Sequence, residues 1–324
     1  MPHLPVIHPS AWTRAQVHGR DDWIVRWPAE VLDEIRAAAQ HVRAAGKAMP
    51  GFGRDDFRLP RSQAFLDSVM REVTHGRGFV LLRGFPVDLL APDETELAYL
   101  ALGLHLGTPV SQDGAGTLLG HVRDERVERT GPEVRLYRTR ERQDFHTDGA
   151  DIIGLLCLHG ARSGGESKLA SSYAVYNEIL RRRPDLLDVL YEPMWWDRNG
   201  EERPGEDPAF PLPVLHDVDG VPRVFYIGWY IRDAQRHPHV PRLTAAQVEA
   251  LDPIESVAND PAFHVEMDFR PGDVQLLNNA VILHSREAYE DDADIERRRH
   301  LLRLWLAAHD FTSVEDRLRT GIPS

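Results

Sequence analysis

Apolar residues recur along this chain at two periods, 3.6 and 2, and the switches between them mark its elements. Over residues 28–45, Val31, Leu32, Ile35, Ala38, Ala39 and Val42 form one stripe behind Pro28, which predicts an amphipathic helix. The run GRGFVLLRGFPVD, residues 76–88, is short, apolar and bounded by Gly and Pro, so it reads as a buried strand. A helix follows over 93–105. Residues 107–143 are rich in Gly, Arg and polar groups, too long for an ordinary connection, and read as a lid or binding loop. Strands are expected near 152–159 and 166–171, and helices near 173–181 and 184–191. A second loop, rich in Pro, Gly and acidic residues, covers 197–222, and the aromatic run RVFYIGWYI, 223–231, predicts a strand. Thr244 and Gln247 form a capping box for a helix running to about residue 258. Beyond it, FHVEMDF, the turn RPGD, the run VQLLNNAVILH and finally RRRHLLRLWLAAHD give strands on short turns, which suggests antiparallel sheet.

Helices gather early and in the middle, and strands dominate late. That segregation predicts an α+β fold whose main body is a sandwich or barrel. No repeat, low-complexity segment or break in composition divides the chain. A single domain over residues 1–324 is expected, with helical decoration over about 1–75 and lid loops at 107–143 and 197–222.

Charge narrows the partners. With 51 acidic and 38 basic residues the net charge is −13, so nucleic acid and anionic membrane surfaces, which need clustered positive charge, are not expected. Lys47 and Lys168 are the only lysines, so an Arg in this chain singles out nothing by itself. One cysteine, Cys157, cannot form an intrachain disulfide. The start, MPHLPVIHPSAW, lacks the pattern of a secretory signal, and no stretch reaches the length of a membrane span. A cytoplasmic location is expected.

One stretch sets ionisable groups at the mouth of a buried strand: DFHTDGADIIGLLCLHG, residues 144–160. His146 and Asp148 are two apart, and on extended backbone they project to the same side. Together they supply two of the three ligands of a facial triad, a set that suits Fe(II) and leaves positions open. An Asp capping a turn beside a backbone-bonded His would look the same. A distant histidine changes the balance: His284 closes the VQLLNNAVILH run. Fifteen residues beyond it, Arg299 shares with Leu301, Arg303 and Trp305 one face of a strand whose other face, Leu302, Leu304 and Leu306, is purely apolar. Two guanidinium groups then point into an interior, where an internal carboxylate or a bound dicarboxylate has to meet them.

In His-x-Asp, a distal His and an Arg beyond it, the chain resembles the Fe(II)/2-oxoglutarate-dependent dioxygenases of the taurine dioxygenase-like (TauD/TfdA, clavaminate synthase-like) family, from residue 76 to about 307. The resemblance implies a double-stranded β-helix (jelly-roll) core with flanking helices. It implies His146, Asp148 and His284 as the iron ligands. Ser167, in the segment GGES, would place a hydroxyl on the distal carboxylate of 2-oxoglutarate, where the family more often has Thr. Arg299 would grip the same carboxylate, and Arg303 would meet an anionic group on the substrate. Three consecutive arginines, 297 to 299, leave the register open; Arg299 alone gives the four-residue spacing to Arg303. The implied activity consumes O2, decarboxylates 2-oxoglutarate to succinate and oxidises a C–H bond of a small, anionic organic substrate. Halogenases of the superfamily carry Gly or Ala where this chain has Asp148, so hydroxylation, desaturation or cyclisation is implied, among which the sequence does not choose. The competing class is a metal-binding jelly-roll protein that is not an oxygenase, and it would have no use for Ser167 and Arg299. Homo-oligomers are common in the family, and no stripe marks an interface here.

The other polar and aromatic residues have plainer readings. Asp151 lies off the face of His146 and reads as a turn or supporting group. Asn278 and Asn279 fall in the strand ahead of His284, where one side chain could orient a ligand. His237 and His239 sit in a Pro-rich loop without a carboxylate and read as solvated. Cys157 reads as a small core residue. Trp195, Trp196, Trp229 and Tyr230 read as core or lid packing, some of them lining a substrate cavity.

Overall fold

A computed structural model describes residues 3–47, 51–126, 134–218 and 220–308. Two β-sheets form its centre. In the larger, seven-stranded sheet Ile24–Arg26, Phe79–Arg83, Asp273–Asn278, Ile152–His159, His300–Ala307 and Thr108–Pro109 lie side by side in that order, and Leu119–Val122 also pairs with His300–Ala307. The smaller sheet has four strands in the order His264–Met267, Ser167–Ser171, Ile282–Arg286 and Gln143–His146. Ile24–Arg26 and Phe79–Arg83 are parallel; the other pairings in both sheets are antiparallel.

Side-chain alternation gives each sheet face its own partner. Phe79, Leu81, Ile153, Leu277 and Trp305 of the larger sheet meet Leu169, Val265 and Ile282 of the smaller in one apolar cluster. On the opposite face of the larger sheet, Val80, Leu82, Leu302, Leu304 and Leu306 pack with residues of the helices Ala29–Ala44, Gln63–His75 and Pro92–Leu106. Phe145, Ala170 and Leu283, facing away from the larger sheet, pack with the helices Ser172–Arg182, Asp185–Leu190 and Ala245–Asn259. The fold is therefore a mixture of helices and sheets, with the final strand covered on both faces as its sequence requires. The capping box also forms: Thr244 Oγ1 accepts from Gln247 N, and Gln247 Oε1 accepts from Thr244 N.

The turn RPGD needs its glycine. Gly272 has φ +81°, and a Cβ there would stand 2.5 Å from the Phe85 carbonyl oxygen. Its N–H donates to Cys157 O, while its carbonyl accepts from Gly84 N and Phe85 N. This one residue thus ties the entry of Asp273–Asn278 to both strands that flank it.

Several expectations are corrected. The strand expected over 223–231 ends at Val224, and Gly228–Asp233 is helical. Between them Tyr226 directs both its backbone N–H and its carbonyl to Thr147 instead of a further strand. A short apolar run does not by itself separate a strand from a buried helix. The 197–222 loop holds strands: Ala209–Leu212 pairs with Met194–Asp197, and Leu215–Val218 with Val221–Val224. The 107–143 segment carries the strands Thr108–Pro109 and Leu119–Val122, and its residues 127–133 lie outside the described residues. VQLLNNAVILH is two strands, not one. The chain leaves the larger sheet at Asn278 and enters the smaller one at Ile282. Asn278 Oδ1 accepts from Ala280 N at the corner, the local side-chain-to-backbone bond that makes Asn common in turns. Asn279 therefore sits at this corner, and His284 lies inside Ile282–Arg286 rather than at its end. Among the described residues no helix is long and apolar enough to cross a membrane.

Candidate metal and dicarboxylate site

The smaller sheet sets His284 opposite His146 on adjacent strands. One donor atom each from His146, Asp148 and His284 lies within 4.8 Å of the others, all three residues are buried, and no other such group of three occurs among the described residues. His146 Nε2 is 3.9 Å from Asp148 Oδ1, and His284 Nε2 is 3.7 Å from Asp148 Oδ2. His146 Nδ1 bonds to the Asp144 carbonyl at 2.8 Å, so its proton belongs there and the Nε2 lone pair faces the cluster. Burial, with His284 next in effect, holds His146 down to about 3, which keeps its imidazole neutral. Burial alone would raise the Asp148 carboxyl, but Arg303 and the two imidazoles hold it well below the usual carboxylate range. A neutral imidazole and an ionised carboxylate are the forms that bind a divalent metal, so the donor set fits Fe(II).

Neighbours fix Asp148 in place. Asn279 Oδ1 accepts the Asp148 N–H at 2.8 Å, and Asn279 Nδ2 donates to the Asp148 carbonyl at 2.6 Å. Asp151 supports the same corner: its carbonyl accepts from Asn279 N and its carboxylate from Ala308 N. Trp305 Nε1 donates to Asp148 Oδ2 at 3.2 Å.

A cavity beside the three residues is lined by Ser167, Arg286, Arg299 and Arg303 among others. Ser167 Oγ accepts from Gln275 Nε2 at 3.1 Å, which leaves the hydroxyl proton free to be donated elsewhere. Arg299 is only 4% exposed, yet among the described residues its Nη1 has no hydrogen-bond partner. The Asp291 carboxylate accepts the Arg299 backbone N–H rather than a guanidinium proton. Of the three consecutive arginines, Arg297 is exposed and faces Asp292, Arg298 donates to the Asp292 carbonyl, and Arg299 alone is buried in the cavity. Arg303 lies against Asp148, with Nη1 3.6 Å from Oδ2. Its Nε donates to Gln112 Oε1 at 2.7 Å, and its guanidinium sits 4.7 Å from the Tyr137 ring centre and 4.8 Å from that of Trp305.

A second cavity adjoins Asp148 and is walled by Arg135, Trp196, Phe210, Phe225, Tyr230 and Trp305. Arg135 pairs with Glu201. Burial disfavours its charge, but Tyr230 and Glu201 outweigh that and hold it protonated. Trp229 stands with its ring 5.0 Å from that of His146, and Trp195 packs against Ala209, Ala234 and Val240. His239 is exposed, as expected, but His237 is half-buried, and neither lacks a carboxylate. His237 bonds to the buried Asp197, and His239 to Asp207, carboxylates near a hairpin that the sequence pattern concealed. Cys157 is buried, and burial pushes its thiol up to about 12, which suits a core residue. Arg286, Arg135 and Gln275 escaped the sequence reading. Arg286 alone had a usable mark, standing two residues after His284 and so on its face.

Three comparisons bear on this site. The model of the family "Taurine catabolism dioxygenase TauD, TfdA family" matches residues 44–305. FR-33289 synthase of Streptomyces rubellomurinus is 34% identical over 311 residues, covering 93% of this chain and 90% of that protein. Taurine hydroxylase-like protein SAT17 of Stachybotrys chartarum is 31% identical, covering 91% of this chain and 77% of that protein. The solved structure of asparagine oxygenase in complex with Fe(II), hydroxyasparagine and succinate has the same fold, with a TM-score of 0.67 at 18% identity over 88% of this chain and 93% of that one. The chain belongs to the TauD/TfdA family and is an Fe(II)/2-oxoglutarate-dependent dioxygenase.

Proposed function

We propose that this dioxygenase hydroxylates a C–H bond of a small organic molecule that carries an anionic group. Its iron is held by His146, Asp148 and His284, and its 2-oxoglutarate by Ser167 and Arg299. The observation that carries this reading is a charge imbalance. Arg286, Arg299 and Arg303 line one cavity in which Asp148 is the only acidic side chain among the described residues. Buried cations without counterions are costly, and a dianionic co-substrate supplies what is missing. The two facing sheets are read as the double-stranded β-helix of the family, forming a single domain.

Bound iron supplies the activation of O2 that couples decarboxylation of 2-oxoglutarate to oxidation of the substrate. The protein's own residues do the rest. The Ser167 hydroxyl and the Arg299 guanidinium donate to the distal carboxylate and so fix the orientation of the acid. Asn279 fixes the Asp148 backbone, and Trp305 donates to the carboxylate, so that the two hold it in one orientation. The substrate takes the cavity of Trp196, Phe210, Phe225 and Tyr230, whose aromatic side chains help exclude water, and its anion is received by Arg135, which lines that cavity, or by Arg303 near Asp148. The test is succinate release with Fe(II) and 2-oxoglutarate over a panel of carboxylates, sulfonates and phosphonates, each beside its neutral amide or ester. Stimulation by anionic members only is expected. Equal stimulation by the neutral partners would reject the anionic assignment.

A further inference from the structure

We propose that Arg286 is a second guanidinium for the distal carboxylate of 2-oxoglutarate, gripping it together with Arg299 and Ser167. The proposal rests on the reading of this cavity as the co-substrate site. It begins from strand register. His284 and Arg286 are two apart on one strand, so they share a face. Arg286 is directly opposite Ser167 on one neighbouring strand and Gln143 on the other, while His284 is opposite His146. The row that holds Ser167 and Arg286 is therefore one step along the sheet from the row that holds the two histidines. A five-carbon diacid chelated at its keto end beside the histidines would have its other end near that row.

Hydrogen bonding supports the same conclusion. Arg286 is 6% exposed, yet among the described residues its Nε and Nη1 have no partner. Among the same residues Nη2 alone is engaged, by the carbonyls of Leu136 and Glu141. The Arg286 guanidinium carbon lies 5.1 Å from the Tyr289 ring centre, and that of Arg299 lies 5.0 Å from the same centre. Two buried cations thus lie against one ring, each with donors unused among the described residues. A purely structural arginine, tying down two carbonyls, would be expected to satisfy its remaining N–H groups as well, because an orphaned buried donor is costly. A carboxylate between the two guanidinium groups satisfies both and relieves their mutual repulsion. The pair then discriminates as well as binds: an oxo acid without the distal carboxylate leaves both cations unpaired.

The test uses full-length protein loaded with Fe(II) without oxygen, and measures dissociation constants for 2-oxoglutarate and for 2-oxobutyrate, which lacks the distal carboxylate. Arg286→Gln is expected to weaken 2-oxoglutarate binding by about 10- to 100-fold, the loss of one charge-assisted contact, while leaving Fe(II) and 2-oxobutyrate binding unchanged. Arg286→Lys is expected to recover part of the loss. Equal weakening of both acids would make Arg286 structural and overturn the proposal. So would unchanged 2-oxoglutarate affinity in Arg286→Gln when Arg299→Gln weakens it. If neither variant changes that affinity, the co-substrate reading of the cavity fails as well. Should the glutamine variant not fold, the ratio of the two affinities in Arg286→Lys decides: a ratio below wild type supports the proposal, and an unchanged one overturns it.

Discussion

Removing the Asn279 side chain should loosen the metal site as well as the fold. The amide makes two hydrogen bonds to the Asp148 backbone, at 2.8 and 2.6 Å, and the two residues are 5% and 8% exposed. Asn279→Ala leaves a buried N–H and a buried carbonyl unpaired at about 1–3 kcal/mol each, so a loss of about 2–6 kcal/mol is expected. At about 2 °C per kcal/mol for a chain of this size, the melting temperature should fall by roughly 4–12 °C. The same change frees the backbone that aims the Asp148 carboxylate. Loss of such an outer partner weakens metal binding by about 10- to 100-fold. Calorimetric melting and anaerobic Fe(II) titration read the two effects separately. Asn278→Ala is the control, since that amide bonds to Ala280 N at the same corner and not to Asp148. It should cost stability and leave iron affinity nearly intact. Equal loss of iron affinity in the two variants, or none in Asn279→Ala, would refute the claim that Asn279 positions the ligand.

Arg299→Ala should raise the dissociation constant for 2-oxoglutarate by about 10- to 100-fold while metal content stays the same; iron loss in place of this effect would undo the assignment of Arg299. Gly272→Ala forces a positive φ on alanine and pushes its Cβ against the Phe85 carbonyl, so urea denaturation should show at least about 1 kcal/mol of lost stability. An unchanged midpoint would contradict that. His300 is held down to about 4 by burial first and by His121 next. The unfolded chain, with an ordinary histidine near 6.5, binds more protons than the native one between those values, so stability is full above about pH 6.5 and falls as pH drops toward 4. His300→Gln should flatten that limb when the denaturation midpoint is followed against pH, and an unaltered slope would show that His300 does not cause it.

The parts of this protein that were readable in advance are those in which a local pattern and the tertiary demand agree. The stripe of Val31, Ile35, Ala38, Ala39 and Val42 is the buried face of Ala29–Ala44. The alternation through Leu301–Leu306 divides its residues between two apolar clusters as expected. His146, Asp148 and His284 were legible because alternation on a strand places i and i+2 together, and because one further histidine ended an apolar run. The misses occur where partners are remote. Nothing near Asp148 in the sequence announces that Asn279 will hold its backbone from the far end of the chain, and the Asn-Asn pair looked like part of one strand. Asp197 hid in a segment that composition marked as loop, so the partner of His237 was invisible. In a chain whose cations are nearly all arginine, Arg135 and Arg286 are distinguished only by burial, which appears when the fold is seen.

The most direct measurement is an anaerobic visible-absorption titration of the purified protein, first with Fe(II) and then with 2-oxoglutarate. The expected result is a weak charge-transfer band that needs both components, saturates at one equivalent of each, and is lost in His146→Ala. Iron that binds without giving a band on addition of 2-oxoglutarate, or failure of the protein to bind iron at all, would contradict the assignment of this cluster as the Fe(II)/2-oxoglutarate centre.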